Sequence, residues 1–369
     1  MKHVLLASTA LLAGIAVLLL VPRASLSDED VEAPPAPRSD LTEEARLAIE
    51  KGLAYLAKTQ NQQGAWINKI GYKLNTEYMP TGEGSHVGVT ALAGMAFLAN
   101  GHLPTRGKYA RNVRKALEFV LACVDPNNGF ITYKHTRMYS HAFAALFLAE
   151  IYGMTPRADL KEKLRLIVDL LVQCQNEQGG WRYLPFAKDA DISLTVCQLQ
   201  FLRAARNCGI TVPASTIDRA TAYVKRCRVD PENSRGFGPA GAFKYQASMD
   251  HSRYTFALTA AGLTSLNAAG VYNHPMIARG LEFLERSRPP ATERGEYHYF
   301  YGHYYAIQAF YQAGGRWWKR WWARTQQELV ELQNPSDGSW SDEVGPHYAT
   351  AMATLILSVP QEYLPIFQR

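Results

Sequence analysis

Six short clusters of titratable and aromatic residues recur along this chain. They are Ser85-His86, Ser140-His141, Asp189-Ala190-Asp191, Asp250-His251-Ser252-Arg253-Tyr254, His303-Tyr304-Tyr305 and Pro346-His347-Tyr348. Five of the ten histidines fall in them. Carboxylates, imidazoles and phenols are the side chains that move protons, and an arginine beside them can hold an anion. Ser and Asp are also ordinary helix N-caps, because their oxygens accept from the orphan N–H groups of the first turn. Capping accounts for Ser85, Ser140, Ser193 and Ser252. It does not account for histidines, which sit poorly at the positive end of a helix dipole. The clusters therefore nominate one shared ligand site. Asp191, Asp189, His141 and His251 are its proton-transfer candidates, and His86, His303, His347, Arg253, Tyr254 and Tyr305 its binding candidates. For Asp191 three roles stay open: cap, acid or binding residue.

These clusters need elements to bring them together. Each precedes a nearly uncharged run: 87–99, 142–149, a third run carrying Arg203 and Arg206 near its end, 255–269, 304–313 and 348–359. A helix that is apolar all round is buried on all sides. Between these runs lie amphipathic stretches such as 42–58, whose Glu43, Glu44, Arg46, Glu50, Lys51 and Lys58 leave one apolar stripe. Gly101, Gly153, Gly209, Gly270 and Gly314 stop the apolar helices. Six amphipathic and six apolar helices predict two concentric layers. The final run, 348–359, carries no charge and needs neighbours on both sides, so the repeats close into a ring. The fold class is all-α, an (α/α)6 toroid. All inner helices then start at one mouth.

The repeat itself is visible. Lys51-Gly52-x-x-Tyr55-Leu56-x-x-x-Gln60-x-x-x-Gly64-x-Trp66 returns as Gln175…Gly180-Trp181 and Gln333…Gly338-Ser339-Trp340. Weaker copies end at Gly129-Phe130, Gly236-Phe237 and Gly295-Glu296-Tyr297. Self-similarity at such a period marks a repeat architecture. These residues resemble the QW motif of the squalene-cyclase and prenyltransferase repeat family. The resemblance implies the α/α toroid and leaves activity open, because function belongs to the site and not to the fold. It also places Asp189-Ala190-Asp191 where class II cyclases carry their DxDD motif, which would make Asp191 the acid that protonates an alkene or epoxide. Ile192 stands where that motif has its last Asp. The zinc pair of protein prenyltransferases, Asp-x-Cys, does not occur, nor does the Cys-Gly-Glu-Gln of thioester domains. No metal ligand set and no cofactor is expected.

The formal charge of +6 falls to about +4 without residues 1–27, because Lys2 and Arg23 are the full charges there. No basic arm is present, so nucleic acid is excluded as a partner. Residues 1–27 read as a signal peptide or an N-terminal membrane anchor, with an apolar run at 4–21. Residues 28–40 read as an acidic Pro-rich linker, and 41–369 as the toroid domain. The protein is expected to be exported, to the periplasm or medium or held at a membrane. Five cysteines without metal spacing, three of them at equivalent repeat positions, predict buried free thiols. Trp317, Trp318, Trp321 and Trp322 make one aromatic helix face flanked by Arg316, Lys319 and Arg320, which fits packing on the inner ring or an interfacial membrane contact. The expected partner is a small-molecule or glycan ligand. An apolar, isoprenoid-like ligand in the central cavity leads. A polysaccharide-lyase-like enzyme using His141, His251, Arg253 and Tyr254, or a non-catalytic scaffold, is the alternative.

Overall fold

A computed structural model describes residues 40–74, 77–229, 238–249, 252–272, 274–291 and 298–368, all within one compact unit. Among these residues there are twelve α-helices. The outer layer is α1 (Glu43–Thr59), α3 (Ala110–Ala122), α5 (Ala158–Cys174), α7 (Ala214–Arg226), α9 (Pro275–Arg286) and α11 (Gly315–Glu331). The inner layer is α2 (Val87–Leu98), α4 (Met138–Met154), α6 (Ile192–Asn207), α8 (Phe256–Ala268), α10 (Tyr299–Ala313) and α12 (Pro346–Ser358). In α1, Thr42 caps the start through Ala45 N–H, acidic residues fill the first turn, and Lys58 lies in the last turn. Its buried face is Ala45, Ala48, Ile49, Gly52, Leu53 and Leu56. In α2 every residue is buried, as its uncharged sequence requires.

The ring closes. Helix α12 packs against both α2 and α1, and Asn100 donates to Ser358 Oγ at 2.9 Å across the seam. The repeated turn is what locks neighbours. Gln60 Nε2 donates to Gly64 O and to Asn112 O of the next outer helix, each at 2.9 Å. Gln175 does the same to Gly179 O and Thr216 O, and Gln333 to Gly338 O and Ala48 O. The last of these joins the sixth repeat to the first. Trp66, Trp181 and Trp340 are fully buried, and each indole N–H donates to the preceding outer helix, at Leu56 O, Leu171 O and Leu329 O.

Each described turn also needs a glycine with positive φ, because the next outer helix presses against it. At Gly241, with φ 90°, a methyl group would lie 2.2 Å from Arg279 O. This glycine corrects one sequence expectation. The fourth turn is Gly241-Ala242-Phe243, where Phe243 N–H donates to Thr259 Oγ1 at 3.1 Å. The expected Gly236-Phe237 lies outside the described residues, as does Gly295–Tyr297. In the second repeat the turn residue is Ile131, one beyond the expected Phe130, because it is Ile131 N–H that bonds the inner helix.

Other differences concern boundaries. Gly153 lies inside α4, which runs on to Met154. Residues 61–86 do not form a simple polar turn. They carry an antiparallel hairpin, β1 (Ile67–Leu74) and β2 (Glu77–Ser85), with a register shift at Ile70/Gly71. The tryptophan-rich helix α11 turns its rings inward. Trp318, Trp321 and Trp322 are buried, Trp321 stacks on Phe310, and Trp318 and Trp322 donate to Asp40. A membrane contact through residues 317–322 is therefore corrected to packing, since the apolar face is already covered. Among the described residues no helix is long and apolar enough to cross a membrane. The run at 4–21 lies outside them. All five cysteines are free, and Cys123, Cys174, Cys197 and Cys227 are buried.

The axis of the ring is filled. Tyr139 and Tyr301 rings meet edge to face at 6.2 Å, and Phe143 meets Tyr304 at 6.3 Å, so α4 and α10 touch from opposite sides. The Cys197 and Tyr305 side chains are 3.1 Å apart, and Gln200 donates to Gln308 at 2.6 Å. The C-terminal end is plugged by a 3-10 turn, Pro365–Phe367. Phe367 packs on Tyr304, and Ile366 N–H donates to the buried Glu150. A space of about 10 Å³ remains there.

Candidate functional site

A filled axis moves any ligand site from the centre to the N-terminal mouth. The mouth is built from the segments that precede the inner helices. Asp191 is its most connected residue. It is the N-cap of α6 and wholly buried. Oδ1 accepts from Leu194 N–H at 2.9 Å and from Ser193 Oγ at 2.6 Å. Oδ2 accepts from Tyr245 OH at 3.2 Å and lies 3.7 Å from Arg182. Tyr245 OH in turn bonds Tyr183 OH, and both rings are half-buried at the surface of the mouth. Burial raises the Asp191 carboxyl above its ordinary range, against the lowering effect of Ser193, Leu194, Arg182 and Tyr245. Burial likewise pushes the Tyr245 and Tyr139 phenols up, so both are donors at neutral pH.

A second line of phenols runs below. Tyr139 donates to Ser193 Oγ at 2.8 Å, and Tyr301 donates to Ser193 O at 2.7 Å. Asp189 is exposed and paired with Arg182, which also faces the Tyr183 and Tyr245 rings. Arg253 is exposed, its guanidinium 4.6 Å above the Tyr245 ring. These residues form one hydrogen-bonded patch. Sequence reasoning nominated Asp189, Asp191 and Arg253 within it and missed Arg182, Tyr183 and Tyr245. A signal was present: Trp181-Arg182-Tyr183 and Phe243-Lys244-Tyr245 place a tyrosine two residues past the turn aromatic in successive repeats.

The histidines do not converge. His86 is the N-cap of α2 and accepts from Val89 N–H, with burial lowering its pKa to about 4. His141 lies four residues beyond the cap of α4, not at the helix start. Its Nδ1 accepts from Ile131 N–H at 3.0 Å, and burial lowers its pKa to about 3. His303 is buried in α10, where Nδ1 donates to Tyr299 O and the ring packs on Tyr299, Phe256 and Trp321. His141 and His303 stand where Thr90, Thr195, Thr259 and Thr350 stand in other repeats. His347 lies beside Tyr55 of α1, with Nδ1 donating to Ile67 O. The shared imidazole rim expected from the sequence is thus corrected: these rings serve four separate packing sites. Tyr305 is corrected too, since it fills the axis, and Tyr254 packs toward Phe283 of the outer layer. His251 lies outside the described residues. Among those residues no group of three or more His, Cys, Asp or Glu could hold a metal ion.

A cavity of about 720 Å³ opens beside this patch, a volume typical of ligand sites. One wall is the hairpin, with Ile70, Thr81 and Glu83. The other is the segment before α4, with Thr132, Lys134 and Arg137, and Leu184 stands at the edge. Lys134 and His135 both have positive φ, 49° and 65°. For side chains with a Cβ this costs about 1–2 kcal/mol each. The turn is held by Thr132 Oγ1 donating to Thr136 O at 2.8 Å and by Tyr133 N–H donating to Thr136 Oγ1 at 3.0 Å. Exposed Ile67 and Met79 belong to the hairpin, and exposed Leu184, Phe186 and Met249 to the segments that precede α6 and α8.

The fold is that of known toroids. A variant of the type II terpene cyclase MstE from Scytonema, in complex with geranylgeranyl dihydroxybenzoate, superposes with a TM-score of 0.59 at 15% identity, covering 88% of this chain and 98% of that one. An inactive variant of an α-1,6-mannanase from Salegentibacter, in complex with α-1,6-mannotetrose, gives 0.58 at 10% identity, covering 86% and 98%. A protein from Actinoplanes gives 0.58 at 14%, covering 86% and 99%. No protein-family model matches the sequence, and no curated protein matches it. The chain is therefore an (α/α)6 toroid of the architecture shared by terpene cyclases and mannanases.

Proposed function

We propose that this protein acts on an apolar, isoprenoid-like ligand held at the N-terminal mouth, with Asp191 as the proton source. One observation carries the reading. A wholly buried carboxyl, raised by burial, keeps one oxygen on its helix cap and turns the other to a pair of surface tyrosines. The cap alone needs only Oδ1. With the carboxyl protonated the Oδ2 bond reverses: Asp191 Oδ2–H donates to the Tyr245 oxygen, Tyr245 O–H to the Tyr183 oxygen, and Tyr183 O–H to the ligand, so each phenol gains a proton as it loses one and Asp191 ends as the carboxylate. Asp189 and Arg182 set the charge beside that path, and Arg253 holds the Tyr245 ring. Exposed apolar side chains around the mouth suit an apolar ligand. The likeness to a terpene cyclase bound to a geranylgeranyl compound supports the same class. The matching turns at Gln60, Gln175 and Gln333 support membership of the squalene-cyclase repeat family. Export, with residues 1–27 as signal or anchor, belongs to the same reading, and the mature N-terminus read by mass spectrometry tests it.

The test uses geranylgeranyl dihydroxybenzoate and α-1,6-mannotetrose as probes, with products resolved by chromatography and mass. Wild-type protein should convert the geranylgeranyl compound, and Asp191→Asn should bind it without converting it. An Asp191→Asn protein with full turnover removes the acid role. Conversion of the mannotetrose instead would favour a glycan-active enzyme, a second reading supported by the open, threonine-lined cavity and the mannanase likeness.

A further inference from the structure

We propose that the turn carrying Lys134, His135 and Arg137 is an anion site that takes the acidic head group, phosphate or carboxylate, of an amphiphilic ligand. It rests on the reading above that the mouth holds an apolar chain, and it names what that chain carries. Four observations converge on it. Among the described residues, three basic side chains, Lys134, His135 and Arg137, line one wall of the 720 Å³ cavity, and Glu83 stands on the other. Two of the three, Lys134 and His135, are held in left-handed backbone that a lysine or histidine does not adopt unaided. Backbone strain of this kind persists only where surrounding structure imposes it, and here the Thr132 and Thr136 hydroxyl bonds do so. The hairpin opposite is bare where the lysine crosses it: a methyl group at Gly84 would meet Lys134 Nζ at 2.6 Å, while Gly82 opens on free space.

The other lining completes an amphiphile's requirements. Ile70, Phe130 and Leu184 are apolar, and Thr81, Thr132 and Thr136 supply hydroxyls. An ammonium and a guanidinium grip a phosphate or carboxylate through charge-assisted hydrogen bonds, which are about twice as strong as neutral ones. The apolar tail then lies against Leu184, the neighbour of Tyr183 and so of the Asp191 patch. Head-group capture at the turn fixes which end of the chain meets the acid.

Binding of three soluble probes tests this by titration: geranylgeranyl monophosphate, geranylgeraniol and inorganic phosphate. The monophosphate should bind about tenfold or more tighter than the alcohol, and weaken as salt rises. Lys134→Ala/Arg137→Ala should erase that difference and leave the alcohol unchanged. Glu83→Gln should tighten the monophosphate severalfold, a gain that misfolding cannot produce. Sedimentation with phosphatidylglycerol vesicles, lost in the double variant, would place the head group on a membrane lipid; binding of the monomeric probe alone would place it on a soluble ligand. Equal affinity for alcohol and monophosphate in wild type overturns the anion site while leaving the apolar-ligand reading standing. Tight binding of inorganic phosphate, with no added affinity from the chain, overturns the amphiphile and leaves an ion site only.

Discussion

At the scale of single residues, two buried carboxyls do opposite work at the two ends of the inner ring. Asp191 caps α6 through Oδ1, and asparagine offers the same acceptor. Asp191→Asn should change the unfolding free energy by about 1 kcal/mol or less in urea titration, because Leu194 and Ser193 keep their partner. A loss of several kcal/mol would mean that Oδ2 and its Tyr245 bond hold the mouth together. Glu150 sits at the plugged end, where burial raises its pKa from 4.5 to about 8 against the lowering pull of Ile366 N–H and Arg203. A folded value above the unfolded one means the protonated form is favoured by folding. That stability is whole below about pH 4.5 and drains as pH rises toward 8. Between these limits the loss should be on the order of 4 kcal/mol. Melting temperature should therefore fall from pH 5 to pH 9, and Glu150→Gln, which still accepts from Ile366, should flatten the slope. An unchanged slope would assign the drop to other groups.

At the scale of elements, the turn is the unit that repeats. Gln175 answers two carbonyls at once, Gly179 O and Thr216 O, both buried among helices. Gln175→Ala leaves Gly179 O without its donor and takes from Thr216 O the second donor beside its helix bond, and should cost about 1–3 kcal/mol by chemical denaturation, more than the same change at an exposed glutamine. The turns at Gln60, Gln175 and Gln333 were legible in the sequence because glutamine, glycine and tryptophan recur there together; where Ile131 and Phe243 replace the tryptophan, the sequence points to a neighbouring Gly-Phe instead. The starts of α4 and α10 were not legible. Their cap positions are Arg137 and His298, neither with a side-chain cap bond, so Ser140 and His303 looked like the first residues. That shift moved His141 and His303 from between the layers to an imagined rim. Their equivalence to threonines was hidden too, since imidazole and hydroxyl differ in shape and share only the pairing of a donor with an acceptor: His141 accepts from Ile131 N–H, and His303 donates to Tyr299 O as Thr195 does to Asp191 O. The hairpin was illegible for another reason: Gly71, Pro80, Gly82 and Gly84 break any alternation of apolar and polar residues along 67–85. The Asp191 patch was half legible, because its tyrosines come from other repeats and meet only in three dimensions.

At the scale of the whole molecule, closure makes the repeats interdependent. An open array frays from its ends, whereas here Gln333 holds Ala48 O and Asn100 holds Ser358. Unfolding should therefore be a single transition. Far-ultraviolet circular dichroism and the fluorescence of Trp66, Trp181 and Trp340, buried in three separate repeats, should change at the same denaturant concentration. Two separated midpoints would show that the seam opens first.

Filling the axis has a kinetic consequence. With Tyr139 against Tyr301, Phe143 against Tyr304, and Phe367 stopping the far end, the ring is solid below the mouth and offers a ligand no passage through it. Whatever enters at the mouth must leave by the same opening, so an incoming molecule waits for the outgoing one to clear. Product and substrate then exclude each other. For the proposed reaction, added product should act as a competitive inhibitor, raising KM and leaving kcat alone in steady-state assays.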